Sequence, residues 1–414
     1  MPKHSEAITA NPPLQNGGSR NRNLQWLRAI AALFVLLYHG SVYLKQITGD
    51  DTFFHVFDGR FGLLGVAVFF AISGYLMAEI LPKADPWRFL LHRILRIYPI
   101  FLIVLASVLL ARRRPGEVDI WAATLVPAGE GRVYYLGVEW TLLFETCFYV
   151  FLFLCSLAGL KNRLSWIASI WLLIIGAATL FYPQIQAELT PTIDWLPLMA
   201  VNSAFAFGLL VPALRERGLF QPATAMLAAG LILVCDVFPF GINRWVASVG
   251  AFLLVGLVIS DNSTEAEVNG RLARLADRYG DWSYALYLCH VPLMVAIYLK
   301  SPPLPNGVLW MLAILVPLTV AAPFGMLDLF LYKRLKLWAD QTSRIVRVSL
   351  SGLYTLIFLL LAGWAAWIGV SPHPQAHSRS STAITVPIPT ADETSPTGQL
   401  PPSSQTLAPP PPLP

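Results

Sequence analysis

The segment LQWLRAIAALFVLLYHGSVYL, residues 24–44, decides the fold class of this 414-residue chain. It is long and apolar enough to cross a bilayer as a helix, for which ~20 residues are needed. The rest of the chain has the same character, since 56% of its residues are hydrophobic and only 13% are charged. Soluble domains carry about 25% charged residues. The composition therefore excludes an ordinary soluble enzyme and indicates an all-α polytopic membrane protein.

Eleven segments have the length and composition of membrane spans. Each is predicted to be helical, because a lone strand would leave its backbone polar groups unpaired in lipid. The predicted spans are 24–44, 61–80, 97–111, 135–159, 164–182, 196–213, 221–238, 245–260, 282–299, 307–331 and 350–370. The run 97–111 is short for a span and is expected to continue into its flanks.

The distribution of positive charge predicts the orientation. An odd number of spans places the two termini on opposite sides. If the segment 1–23 is cytoplasmic, the inner segments carry nineteen Lys and Arg residues and the outer segments nine. This bias predicts a cytoplasmic N-terminal segment and an extracytoplasmic tail. One exception is the run Arg112-Arg113-Arg114, predicted outside, so either that loop is basic or the third span boundary is wrong.

Three further features of the sequence limit the structures and partners that the chain can have. Residues 371–414 contain twelve prolines and are predicted to form a disordered Pro-rich tail. The net charge of +5 is spread over short clusters between apolar runs, so no nucleic-acid partner is expected. Cys147, Cys155, Cys235 and Cys289 all lie in apolar stretches without metal-ligand spacing, and are interpreted as buried small side chains rather than as a disulfide or metal site.

The first span carries two ionisable residues, Arg28 and His39. They are eleven residues apart, about three helical turns, so they share a helix face and lie ~16 Å apart along the axis. A neutral histidine at this depth can act as a general base. The alternative is structural, with His39 bonded to another span and Arg28 extended towards the interface.

Two arginines, Arg93 and Arg96, stand at the predicted cytoplasmic start of the third span. Their i, i+3 spacing makes them project together. Two neighbouring guanidinium groups suit a phosphate or carboxylate ligand. The alternative is that they only anchor the span on its positive side.

The fourth span has a polar stripe. Thr141, Glu145 and Tyr149 repeat at i, i+4 and therefore share a face. Glu145 lies inside the apolar run and needs a partner or a proton, because an isolated buried carboxylate is too costly. Trp140 lies on a different face and by itself is typical of an interfacial aromatic belt.

The ninth span repeats this pattern with Ser283, Tyr287 and His290 at i, i+4 and i+7. Such a stripe indicates a wet cavity, or alternatively scattered interhelical hydrogen bonds. A smaller polar break, Ser73-Gly74, interrupts the second span and is typical of close helix packing. The acids Asp236 and Asp328 lie in apolar segments without a visible partner.

In this order, the motifs resemble the acyltransferase-3 family of integral-membrane acyltransferases, and in particular bacterial exopolysaccharide O-acetyltransferases. The resemblance covers about residues 20–340. It implies a ten-helix transmembrane domain over 24–340, with the eleventh helix, 350–370, as an addition. The motifs are Arg28 and His39 separated by ten residues, FFAISGYLM (69–77), RILRIYP (93–99), WTLLFETCFY (140–149) and WSYALYLCHVPL (282–293).

The resemblance implies a role for each matching residue. His39 would be the general base or the centre that handles the acyl group, with Arg28 and Glu145 completing the catalytic set. Arg93 and Arg96 would bind the donor, acyl-CoA. The residues expected to support the site on the acceptor side are Ser73, Trp140, Tyr287 and His290. Cys289 and the short string EWTLLFE (139–145) depart from many family members and leave the choice of acceptor open.

The function implied is transfer of an acyl group, expected to be acetyl, from acyl-CoA to a hydroxyl of a surface polysaccharide or another glycan. The expected location is the bacterial inner membrane, among lipids, and the acceptor is free or lipid-linked. No bound cofactor or metal is expected. Three alternatives remain. The first is transfer of another acyl group, such as succinyl, or transfer to another acceptor, such as a macrolide or a nodulation oligosaccharide. The others are a transporter or exporter of a polar solute lined by the same charges, and a non-catalytic partner in polysaccharide assembly.

Overall fold

The computed structural model describes residues 21–113, 116, 118–129, 132–260 and 270–369, and these residues are mainly helical. The extended pairing found among them is one isolated bridge between Ala128 and Thr192. Residues 1–20 of the predicted N-terminal segment and the predicted tail, 371–414, lie outside the described residues.

The α-helices of the described part are numbered in chain order. They are α1 (Arg22–Thr48), α2 (Gly59–Ile80), α3 (Pro86–Ala111), α4 (Ile120–Thr124), α5 (Glu139–Leu157), α6 (Leu164–Phe181), α7 (Asn202–Glu216), α8 (Pro222–Val234), α9 (Ile242–Ser260), α10 (Arg271–Lys300), α11 (Asn306–Gln341) and α12 (Arg344–Gly369).

The predicted spans correspond one by one to α1–α3 and α5–α12, and the chain is an all-α multi-pass membrane protein. Within the described residues, nine helices are long and apolar enough to cross a membrane. The other two, α7 and α8, have 15 and 13 residues and are shorter than a typical span. The predicted sixth span is shortened because its first residues form a 3₁₀ turn, Leu196–Leu198, before α7 begins.

The third span extends on its N-terminal side beyond the apolar run 97–111, as the short length of that run predicted. The helix begins at Pro86, where the Asp85 side chain accepts a hydrogen bond from the Arg88 amide. Charged residues lowered the apparent hydropathy of this stretch, although the helix carries them towards the protein interior. Consequently Arg93 and Arg96 lie well inside α3 rather than at its start.

Helices α1 and α10 run parallel and in contact. Near their N-terminal ends, the Arg22 guanidinium forms an ion pair with Asp277 at 2.9 Å. Further along, the Tyr298 hydroxyl donates to the Gly40 carbonyl at 2.7 Å. Helix α1 also packs on α2, and α11 packs on α10 and α3. The polar residues of α1 and α10 therefore face each other inside the bundle.

Two glycines bring α2 and α7 into close contact. A Cβ at Gly74 would lie 2.2 Å from the Phe205 carbonyl oxygen, and one at Gly208 would lie 2.3 Å from that of Ala71. Small residues let helix backbones approach in this way. The predicted packing role of Gly74 is confirmed.

The added helix α12 covers part of α3. The Ser351 hydroxyl donates to the Trp87 carbonyl at 2.9 Å, and the Tyr98 and Tyr354 hydroxyls are 3.0 Å apart. The predicted eleventh helix is thus confirmed as a helix that docks on the bundle. The four cysteines are buried, as the sequence predicted.

Replacing Gly208 by alanine should destabilise the protein. The new methyl group has no space between α2 and α7, and overpacking of this kind costs about 1–3 kcal/mol. We expect a lower thermal unfolding midpoint in detergent, measured by circular dichroism. The matched control is Gly230→Ala, because a Cβ at Gly230 would meet no atom within 4 Å. An unchanged midpoint for Gly208→Ala would contradict the close packing.

Candidate active site

Two histidines meet between α1 and α10. His39 Nδ1 and His290 Nε2 are 2.9 Å apart. His290 Nδ1 lies 2.8 Å from the Tyr287 carbonyl oxygen, which only accepts hydrogen bonds, so this nitrogen carries a proton. His290 Nε2 then accepts from His39 Nδ1–H, and His39 Nε2 retains an unshared electron pair. The hydrogen-bond network thus assigns His39 the tautomer that a general base at Nε2 requires.

The Tyr287 side chain joins α10 to the start of α5. Its hydroxyl lies 2.7 Å from Thr141 Oγ1 and 3.2 Å from the Val138 carbonyl. Directly beside them, Glu139 is 2% exposed and accepts hydrogen bonds from the Leu136 and Val138 amides. The Glu139 carboxylate therefore shapes the turn that leads into α5.

A cavity of about 150 Å³, here named the arginine cavity, lies on one side of Tyr287. It collects polar side chains from five helices, and the predicted stripe Thr141, Glu145 and Tyr149 is confirmed as one of its walls. Its polar lining consists of Arg28, Ser73, Arg93, Arg96, Thr141, Glu145, Tyr149, Ser283, Tyr284 and Tyr287.

The partner that Glu145 needs is present. The Tyr149 hydroxyl donates a hydrogen bond to the Glu145 carboxylate. Three arginines, Arg28, Arg93 and Arg96, supply the positive charge that acts on it. Glu145 therefore lies within a positively charged wall, and does not stand alone among apolar groups.

The two arginines of α3 differ in their partners. Arg96 Nη1 forms an ion pair with Asp328 at 2.6 Å, and the Asp328 side chain is only 3% exposed. In contrast, Arg93 Nε is buried without a hydrogen-bond partner, and the guanidinium lies 5.8 Å from the ring centre of Tyr149. Arg96 is thus held in an ion pair within the protein, whereas Arg93 has a buried hydrogen-bond donor that no described protein group accepts from.

A second cavity, here named the histidine cavity, has a volume of about 400 Å³. It contains His39, Trp140 and Tyr287 of the predicted site. It also contains Asp236 and Arg244. Val66 and Tyr287 line both cavities, so the two cavities meet at these side chains. Since Trp140 lines this cavity, it does more than serve as an interfacial belt residue.

Sequence reasoning missed two features of the site. Asp328 has a partner, Arg96, which is more than two hundred residues away in the chain and could not be seen from spacing. Arg244 stands just before the predicted eighth span, 245–260, and outside every predicted span. The structure places it in the first turn of α9, where it faces Phe240 and Trp140. Its position two residues into an apolar helix was the available signal.

Comparison with known proteins identifies a family. The profile described as "Acyltransferase domain", that of the acyltransferase-3 family, matches residues 21–328. The chain is 29% identical to the exopolysaccharide production protein ExoZ of Rhizobium meliloti (strain 1021), over 55% of this chain and 75% of that protein. It is 26% identical to nodulation protein 10 of Rhizobium leguminosarum bv. viciae, over 68% and 85%. No solved structure matches.

A third relative is the acyltransferase MdmB of Streptomyces mycarofaciens. It is 22% identical to this chain over 305 residues, which are 64% of this chain and 76% of that protein. The three relatives each match over three quarters or more of their own length.

Removing one member of the buried Arg96–Asp328 pair should destabilise the protein strongly. Arg96→Gln leaves the Asp328 carboxylate buried without a counter-ion, which costs about 3–5 kcal/mol. The double variant Arg96→Gln/Asp328→Asn should regain most of the loss. The thermal unfolding midpoint in detergent measures both effects.

The control for this experiment is the exposed pair Lys83–Glu79, with a nitrogen-to-oxygen distance of 3.2 Å. Lys83→Gln should shift the midpoint little, because exposed pairs contribute about 0–1 kcal/mol. If the double variant is as unstable as Arg96→Gln alone, the two side chains are not energetically coupled.

Proposed function

Since the chain belongs to the acyltransferase-3 family, and is therefore a membrane acyltransferase, we propose that it transfers an acetyl group from acetyl-CoA to a hydroxyl of a surface polysaccharide or another glycan. The names of two relatives, which refer to exopolysaccharide production and nodulation, support a glycan acceptor. The proposed location is the bacterial inner membrane, with the start of α1 at the cytoplasmic side and the C-terminal tail outside.

One observation carries the proposal: His39 lines the histidine cavity, and its partner His290 lies beside Tyr287, the side chain that borders both cavities, with ring centroids 5.8 Å apart. Arg28, Arg93 and Arg96 line the cavity nearer the start of α1. The second cavity lies towards the other end of α1 and includes His39. A transferase that takes its donor from one side and its acceptor from the other needs such a centre between two sites.

The donor site is proposed to be the arginine cavity. Coenzyme A carries several phosphate oxygens, and guanidinium groups bind such oxygens with charge-assisted hydrogen bonds. Arg93 has unused donors and faces this cavity. Its position near the proposed cytoplasmic side suits a donor that is made in the cytoplasm.

The proposed chemistry is proton abstraction by His39. Nε2 of His39 takes the proton of an acceptor hydroxyl, and the oxygen attacks the thioester carbonyl carbon. The carbon–sulfur bond breaks, the coenzyme A thiolate leaves, and an ester is formed. His290 holds the proton on Nδ1 of His39 and stabilises the imidazolium. The other route, an acyl group carried transiently on Nε2, uses the same nitrogen and the same His290 contact.

Replacing His39 should abolish transfer. Loss of a general base costs about 10²–10⁴-fold in rate. We expect a gene deletion in the host to remove one base-labile ester signal from the NMR spectrum of its surface glycans. Complementation with the wild type should restore that signal, and complementation with His39→Ala should not. The membrane content of each variant is measured in parallel. Restoration by His39→Ala would show that His39 is structural.

Replacing Arg93 should weaken donor binding without disturbing the chemical step. A lost hydrogen bond to a charged group costs about 1.5–3 kcal/mol, or about ten- to hundredfold in affinity. For Arg93→Gln we expect the KM for acetyl-CoA to rise by this factor while kcat changes little, as measured by release of free coenzyme A from purified protein. The matched control is Arg217→Gln, an exposed arginine beyond α7. An unchanged KM would place the donor elsewhere.

A further inference from the structure

Arg244 lies in the histidine cavity and faces aromatic rings. Its guanidinium carbon is 4.9 Å from the ring centre of Phe240 and 5.9 Å from that of Trp140. Its Nε is buried and makes no hydrogen bond. No ion pair to Arg244 occurs within the described part of the chain. The cation is therefore held by aromatic faces, and its hydrogen-bond donors remain unused.

Two other arginines at helix contacts do have counter-ions within the protein. Arg96 is paired with Asp328 at 2.6 Å, and Arg22 with Asp277 at 2.9 Å. An inward-facing charge without a counter-ion is costly in a membrane protein and marks a functional position. Aromatic contacts offset only part of that cost, about 0.5–2 kcal/mol each. The missing counter-ion is therefore expected from a ligand.

The acid that shares the cavity does not fill this role. Asp236 forms no ion pair with Arg244 and lies instead beside the first turn of α2. A Cβ at Gly59 would be 3.2 Å from its Oδ1. Arg60, which pairs with Asp58 at 2.7 Å, is the cation that acts on Asp236. Asp236 therefore lies beside the Arg60–Asp58 pair and is not the counter-ion of Arg244.

Arg244 is also close to the proposed catalytic centre. Tyr38, His39 and Arg244 line the same cavity, and the Tyr38 and His39 rings have centroids 5.2 Å apart. A sugar held by Arg244 would therefore present a neighbouring hydroxyl on the side of His39. The flat faces of Trp140 and Phe240 suit the apolar face of a sugar ring.

From these contacts we propose that the histidine cavity is an acceptor site for an anionic sugar, with Arg244 as the counter-ion of its carboxylate or phosphate group. This inference rests on the proposed transferase function, because it treats the histidine cavity as the acceptor side. It goes further in naming the chemical class of the acceptor, which the family resemblance leaves open. A neutral sugar would leave the Arg244 guanidinium unpaired.

The test is a binding measurement on the purified full-length protein in detergent. The probes are methyl β-D-glucuronide, methyl β-D-glucoside and glucose 6-phosphate, and the readout is quenching of tryptophan fluorescence. We expect the wild type to bind one or both anionic probes at least about tenfold more tightly than the glucoside, the factor for a hydrogen bond to a charged group. The preferred probe then tells whether the acceptor carries a carboxylate or a phosphate.

Variants connect this preference to Arg244. Arg244→Gln should bind all three probes with nearly equal affinity, and Arg244→Lys should retain part of the preference, because a lysine keeps the charge without the planar fork. The matched control is Arg334→Gln, since Arg334 also lies over an aromatic ring, 5.4 Å from Phe330, but is exposed on α11. Its preference should equal that of the wild type. If Arg244→Gln does not fold, the inference is tested with Arg244→Lys alone. A preference for the anionic probes as large as that of the wild type would then contradict the inference.

Three results would overturn the inference: equal binding of charged and neutral probes by the wild type, no binding of either anion, or a preference that survives Arg244→Gln. Competitive displacement of the glucuronide by coenzyme A would also overturn it, because the site would then belong to the donor.

The proposed transferase function is tested separately from this inference. His39→Ala should keep the binding preference and lose transfer, and a wild type that binds anions but transfers no acetyl group refutes the transferase chemistry alone.

Discussion

A histidine buried between membrane helices must find partners for its ring nitrogens inside the protein, because the bilayer core supplies no water to replace them. His290 meets this requirement with a carbonyl of its own helix on one side and with His39 on the other. A carbonyl oxygen can only accept a hydrogen bond, so it determines which nitrogen is the donor in each hydrogen bond of the histidine pair. A backbone oxygen of α10 thus determines which nitrogen of His39 keeps its unshared electron pair, and the parallel packing of α1 and α10 brings the two rings together.

The charged groups inside the bundle fall into two classes. Arg96 and Asp328 neutralise each other and hold α3 against α11. Arg93 and Arg244 keep buried nitrogens without hydrogen-bond partners. Under the proposed function, these two nitrogens are donors for the phosphate of the acyl donor and for the anionic group of the acceptor. One faces each cavity, which is the distribution that a donor and an acceptor of like negative charge would require.

How far the sequence could predict this site depended on the range of the interaction. Helical spacing was sufficient to place Thr141, Glu145 and Tyr149 on one wall, because i, i+4 neighbours must share a face. It could not supply Asp328 as the partner of Arg96, since that contact joins helices far apart in the chain. The start of α3 could not be predicted from hydropathy for a related reason. Hydropathy counts a charged residue as exposed to lipid or water, whereas here the charges of α3 point into a protein-lined cavity.

The geometry also constrains the path of the group that is transferred. Arg96 lies over the ring of Tyr284, and His290 is six residues further along α10, about 9 Å of helix. Under the proposed function, a donor whose phosphates stay with the arginines must extend its thioester across that distance, past the side chains of Val66 and Tyr287, where the two cavities meet. The phosphate-bearing part need not leave its cavity for the thioester end to reach His39. Under the proposed function, the acyl group therefore passes the Tyr287 hydroxyl, which the Thr141 hydroxyl and the Val138 carbonyl hold in place.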